Sequence, residues 1–133
     1  KPDYINNEAC LANAIKVFGQ AEWSIIADNV SQETSDMIQK YIPKSSIFYV
    51  NVGNGAGTFN IALDGALKCD DDEIVYFLEN DYIHKPNSDK ILEEGFTLGA
   101  SSFHYMITQI SIYHQIKVVT LIVREEQKIL GYT

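Results

Sequence analysis

The sequence predicts an α/β fold, a mostly parallel sheet with helices on both faces. Three observations lead there. Short apolar runs without a helical period alternate with segments whose apolar residues recur at helical spacing. The runs end abruptly in polar residues, as buried strands do when they reach a binding edge or a turn. The 133 residues suffice for one domain with a modest core, and the apolar fraction of 46% is that of a globular chain.

The elements follow in order. Lys1-Pro2-Asp3 opens as a loop. Asn6 or Asn7 is placed to cap a helix that turns Leu11, Ala14, Ile15 and Phe18 to one side and stops at Gly19. Trp23 to Ala27 reads as a strand ending in Asp28-Asn29, a pair that also offers a helix cap. A helix from about Ser31 to Tyr41 turns Met37, Ile38 and Tyr41 inward and is broken by Pro43. Ser46 to Val50 is the next strand, and Asn51 to Gly57 is a glycine-rich loop. A helix follows from about Thr58 to Lys68, with Phe59, Ala62, Leu63 and Ala66 at helical spacing. Ile74 to Leu78 is a strand leading into Glu79-Asn80-Asp81, then a loop with Pro86 and a helix from about Ser88 that stops at Gly95. One piece is missing from this order. A doubly wound unit begins with a central strand, whereas this chain enters a helix first.

Charge and composition exclude several function classes. A formal net charge of −8 argues against nucleic acid, whose binding rests on clustered Lys and Arg. Asp70-Asp71-Asp72-Glu73 carries much of the excess and reads as a solvated turn. No run approaches the roughly 20 apolar residues of a membrane span, and no secretion signal opens the sequence. Cys10 and Cys69 lack metal-type spacing, so they read as two reduced thiols of a cytoplasmic protein.

Right-handed crossovers place three features at one edge of the sheet: Asp28-Asn29, the Asn51–Gly57 loop and Glu79-Asn80-Asp81. A glycine-rich loop opening a helix presents backbone N–H groups to phosphate or sugar oxygens. This one lacks the Lys-Ser/Thr ending of a P-loop and is not a dinucleotide fingerprint. Glu79 and Asp81 offer the hard oxygen ligands that Mg2+ or Mn2+ takes together with substrate phosphates. An ordinary polar strand end is the competing reading of that pair, a helix cap that of Asp28, and a flexible turn that of the loop.

The order of these motifs resembles the nucleotide-sugar half of an inverting GT-A-type glycosyltransferase of the family 2 style. There a strand ends in an Asp that contacts the nucleotide base, as Ile25-Ile26-Ala27-Asp28-Asn29 does here. An Asn-x-Gly loop opens a helix near the donor, matched by Asn51-Val52-Gly53-Asn54, and a strand ends in a DxD-like metal motif, matched by Glu79-Asn80-Asp81. Lys1-Pro2-Asp3 and Glu79-Asn80-Asp81-Tyr82-Ile83-His84 look like the Arg-Pro-Asp start and Glu-Asp-Asp-Tyr-x-His motif of a narrower subgroup. Asn80 departs from that motif, and Thr58-Phe59-Asn60 replaces the family's Ala-Arg-Asn. The resemblance covers roughly residues 1 to 100 and implies a partial GT-A (Rossmann-like) domain that transfers a sugar from a nucleotide-diphosphate sugar to a glycan or other hydroxyl acceptor. It implies Asp81 on the metal, Glu79 on ribose or a metal-bound water, and Asp28, Asn29, Asn51, Gly53 and Asn54 on the donor. His84 is the local titratable candidate for a catalytic role. A non-enzymatic α/β binding module and a Mg-dependent nucleotidyltransferase are the alternatives.

Residues 101–133 differ in character from residues 1–100 and read as an atypical tail. The subgroup's Leu-Tyr-Asp-His-Pro-Asp-Lys-Tyr motif is absent from it. Reverse translation in another frame permits that motif, with Leu forced at His104-Tyr105 and Asp forced at Met106-Ile107. The expectation is a frameshift near residues 101 to 103, an incomplete domain and weak or no turnover; a genuine divergent C-terminal segment with a helix and one strand is the competing reading. Ile116 to Val123 is nevertheless a strong strand former, expected to pair at a sheet edge or to take the slot of the missing first strand.

Overall fold

A computed structural model describes residues 6–70, 73–97 and 116–124. The chain is α/β, with a four-stranded, all-parallel sheet. Helix α1 (Asn7–Val17) leads into β1 (Glu22–Asp28), α2 (Gln32–Gln39), a 3-10 turn (Lys44–Ser46) and β2 (Ile47–Val50). Then come α3 (Gly55–Ala66), β3 (Ile74–Glu79), α4 (Ser88–Thr97) and β4 (Ile116–Arg124). The spatial order is β2-β1-β4-β3.

The last strand is therefore an inner one. β4 pairs with β1 from Glu22↔Val118 to Asp28↔Arg124, and with β3 from Ile74↔Ile116 to Glu79↔Ile122, with one register shift after Ile74. A doubly wound unit in chain order 3-2-1-4 has its first strand in this position. The β-branched run thus takes the slot that a first strand holds in such a unit. Its composition explains the choice, since a strand covered on both faces needs a continuous apolar run. Val119, Leu121, Ile122 and Val123 are all buried.

Strand alternation assigns the faces. Ile25, Ala27, Ile47, Ile74, Leu78, Val119, Leu121 and Val123 form one core with Leu11, Ala14 and Phe18 of α1 and Ile38 of α2. Leu92 of α4 packs on the same core. Ile26 and Ile122 face the other way, onto Ala62 and Phe59 of α3, with Phe77 and Val50 beside them. Steps β1→β2 and β3→β4 run in the same direction across the sheet and use the α1 face. The long step β2→β3 runs in the opposite direction and uses the α3 face. The β1→β2 and β2→β3 crossovers are thus of one hand, as parallel units require.

Local chemistry sets the helix starts. Asn6 caps α1 by accepting from Ala9 N at 2.8 Å, and Ser31 caps α2 by accepting from Thr34 N at 3.2 Å. Ser31 therefore does what Asp28-Asn29 was expected to offer. Three expectations change. Tyr41 is partly exposed and donates its hydroxyl to Glu8 of α1 at 2.9 Å, which raises the phenol above its usual range; Lys40 pairs with the same carboxylate at 3.6 Å. Helix α4 continues through Gly95 to Thr97. Helix α3 begins at Gly55, so half of the glycine-rich loop is its first turn. The expected frame change near residues 101 to 103 lies outside the described residues, as does most of the tail apart from β4.

Candidate functional site

Parallel strands share one carboxyl edge, and the topology brings the predicted features to it. β1 ends at Asp28, β2 leads into the Asn51 loop, and β3 ends at Glu79. Alternation puts Asp28 and Glu79 on the face that carries α3, and α3 lies over β1 and β4. A crossover helix runs back against its strands, so its N-terminus sits at the carboxyl edge. Two acids and a positive helix end thus lie on one side of the sheet, the acids on strands separated by β4.

Asp28 is buried, at 1% exposure, and its carboxylate grips the loop. Oδ1 accepts from Val52 N at 2.7 Å, and Oδ2 accepts from Gly53 N at 3.0 Å. The side chain expected on the nucleotide base therefore also positions the Asn-x-Gly loop. Asn29 follows in the left-handed region (φ 54°), anchored by its N–H on Val50 O at 3.0 Å, with its amide beside Gly53. Gly53 has φ +80°, which a side chain would strain. Asn54 then caps α3, accepting from Gly57 N at 2.7 Å. Thr58, fully buried, donates to Asn54 O and Gly55 O, both at 3.1 Å.

Gly57 lets the loop close on the helix. A Cβ there would run into Val52 Cγ1 and sit 3.2 Å from Asn54 Oδ1. Gly57→Ala is expected to cost about 2 kcal/mol, because both the loop and the cap must shift. Urea denaturation of the variant measures this.

Glu79 and Asp81 are exposed, with Asn80 half-buried between them. Among the described residues, no group of three or more His, Cys, Asp or Glu side chains is gathered to hold a metal. The donor set nevertheless fits a hard cation of the kind that uses one or two carboxylates and completes its shell with phosphate and water. Tyr82 and Ile83 follow, also exposed.

His84 turns away from this edge. Its Nε2 lies 2.8 Å from the Tyr76 hydroxyl, and its ring stands edge-on to Phe18 of α1 with centroids 5.1 Å apart. Burial lowers its pKa below the usual 6.5. Tyr76 belongs to the α1 face of the sheet, so the ring packs in the core opposite α3.

Two features escaped the sequence. The inner strand β4 brings Arg124 level with Asp28 at the carboxyl edge, because its run belongs to the sheet. Asn13, mid-helix in α1, binds the backbone of His84, 71 residues away. The density of β-branched residues in 116–123 was the available signal for the first; a lone Asn gave none for the second. Neither cysteine is in a disulfide among the described residues; burial, then the nearby Glu73 and Glu22, raise the Cys69 thiol. No described helix is long and apolar enough to cross a membrane. No protein-family model, curated protein or solved structure matches the chain.

Proposed function

We propose that this chain is the nucleotide-sugar half of a GT-A-type glycosyltransferase and holds a nucleoside diphosphate-sugar with Mn2+ or Mg2+ at the carboxyl edge of its sheet. One observation carries this reading: Asp28, the Asn51–Asn54 loop at the start of α3, and Glu79 share one edge and one face. Asp81 holds the cation, and Glu79 takes ribose or a metal-bound water. The bound cation would neutralise charge on the leaving diphosphate. Asn51, Gly53 and Asn54 offer backbone and amide groups to the donor, with Asp28 and Asn29 beneath them. His84 is given no role as a base in this reading, because its ring packs against Tyr76 and Phe18. The acceptor would be a glycan or another hydroxyl compound.

Titration with uridine, guanosine and thymidine diphosphates, with and without manganese, tests this. Binding is expected for at least one of them, only with the metal. Asp81→Ala should weaken it about tenfold or more, a change of about 1.4 kcal/mol. No metal-dependent binding would defeat the proposal and leave a non-enzymatic α/β module. Metal-dependent binding with nucleotide transfer instead of sugar transfer would make the chain a nucleotidyltransferase.

A further inference from the structure

We infer that Asn13, Tyr76 and His84 form an acid-sensitive latch that holds the segment after β3, and with it the Glu79–Asp81 turn, against α1. The inference is independent of what the turn binds. The Asn13 side chain meets both polar groups of the His84 backbone. Its Oδ1 accepts from His84 N at 2.7 Å, and its Nδ2 donates to His84 O at 3.0 Å. One amide thereby does for this segment what a neighbouring strand does for a ladder residue. The ring completes the latch through Tyr76 at 2.8 Å, with Phe18 and Tyr76 packed edge-on at 5.1 and 5.8 Å.

The remaining ring nitrogen makes the latch conditional. Nδ1 is buried and has no hydrogen-bond partner among the described residues. An unpaired lone pair costs less there than an unpaired N–H. The neutral ring is therefore assigned with its proton on Nε2, donated to the Tyr76 oxygen. A second proton must go to Nδ1, where it has no acceptor and adds charge among aromatic rings. Among the described residues the groups around the ring give this charge no counterion. β3 contributes Tyr76, and α1 contributes Asn13 and Phe18, with the buried Cys10 thiol a turn earlier. On its own segment Asp81 and Lys85 are exposed, and no carboxylate lies within ion-pair distance of the ring among the described residues.

The sign follows from the lowered pKa of the folded state. As pH falls through 6.5, the unlatched ring takes up its proton first, so the open form gains. Stability contributed by the latch is present above that pH and is lost below it. Opening is local, because α1 and β3 keep their own core contacts through Leu11, Ala14, Ile74 and Leu78.

Amide hydrogen exchange of the whole chain, corrected for intrinsic rates, tests this between about pH 7.5 and about pH 5. Protection of the His84 amide is expected to fall roughly tenfold or more, while Leu121 keeps its protection. The fall should begin near pH 6.5, where the unlatched ring titrates, and level off near the lower pH at which NMR shows the ring of the folded protein titrating. His84→Phe, which keeps a ring but cannot titrate, should abolish the pH dependence. The latch is overturned if His84 protection stays constant, if it falls in step with Leu121, or if it goes on falling below the pH at which the ring of the folded protein has titrated. A His84→Phe protein that keeps the wild-type pH dependence also overturns it.

Discussion

Replacing Leu121 with alanine is expected to cost about 3 kcal/mol of folding stability. Leu121 is 1% exposed at the centre of β4, level with Ile25 of β1 and Leu78 of β3. Its side chain packs in the larger core with residues from α1 and α2. Removing it opens a cavity that three strands border, and rigid strands relax poorly around such a void. Exposed Leu67, at 75%, is the natural control, and its alanine variant should lie within about 0.5 kcal/mol of the parent. Urea denaturation of both variants decides the matter. Equal midpoints would mean that β4 is not an inner strand.

Asp28→Ala is expected to cost a further amount of the same order, about 3 kcal/mol, through a different mechanism. Bonds from backbone N–H groups to a carboxylate are charge-assisted and stronger than neutral ones. The alanine variant removes the acceptor of Val52 N and Gly53 N together. Asp28→Asn keeps one oxygen and should lose roughly half as much. Amide exchange locates the effect. Val52 and Gly53 should lose protection first, whereas the Asn54 cap on Gly57 N should survive. Uniform loss across the sheet would show that Asp28 supports the core in general and not the loop.

These two variants mark what the sequence made legible and what it hid. Strands β1, β2 and β3 were read to within about a residue because each is a short apolar run with a polar stop. The start of α1 followed from the capping chemistry of Asn6 or Asn7, whereas α2 is capped by Ser31 and not by the expected Asp28-Asn29 pair. The start of α3 was misplaced because Gly55 and Gly57 look like loop residues. Gly57 is needed in the helix for its missing Cβ, which pattern reading does not detect. The position of β4 is a long-range fact. Its β-branched run announced a strand, but only pairing with β1 and β3 could choose between an edge and the centre. Asp28 was placed correctly at the edge, yet its grip on Val52 and Gly53 joins residues 24 and 25 positions apart. His84 misled for the opposite reason. It stands three residues from Asp81 in sequence, but a tight turn after β3 sends its ring to the other face of the sheet.

The most direct measurement of the account is the location of bound manganese. Mn2+ broadens the NMR signals of nearby amides, so a titration in the presence of a bound nucleoside diphosphate maps the cation onto the chain. The account predicts selective broadening at Glu79, Asn80 and Asp81, extending to Asn29, Gly53 and Asn54 across the same edge, and its disappearance in Asp81→Ala. Broadening centred instead on Asp70 and Glu73, before the start of β3 at the opposite edge, would contradict it.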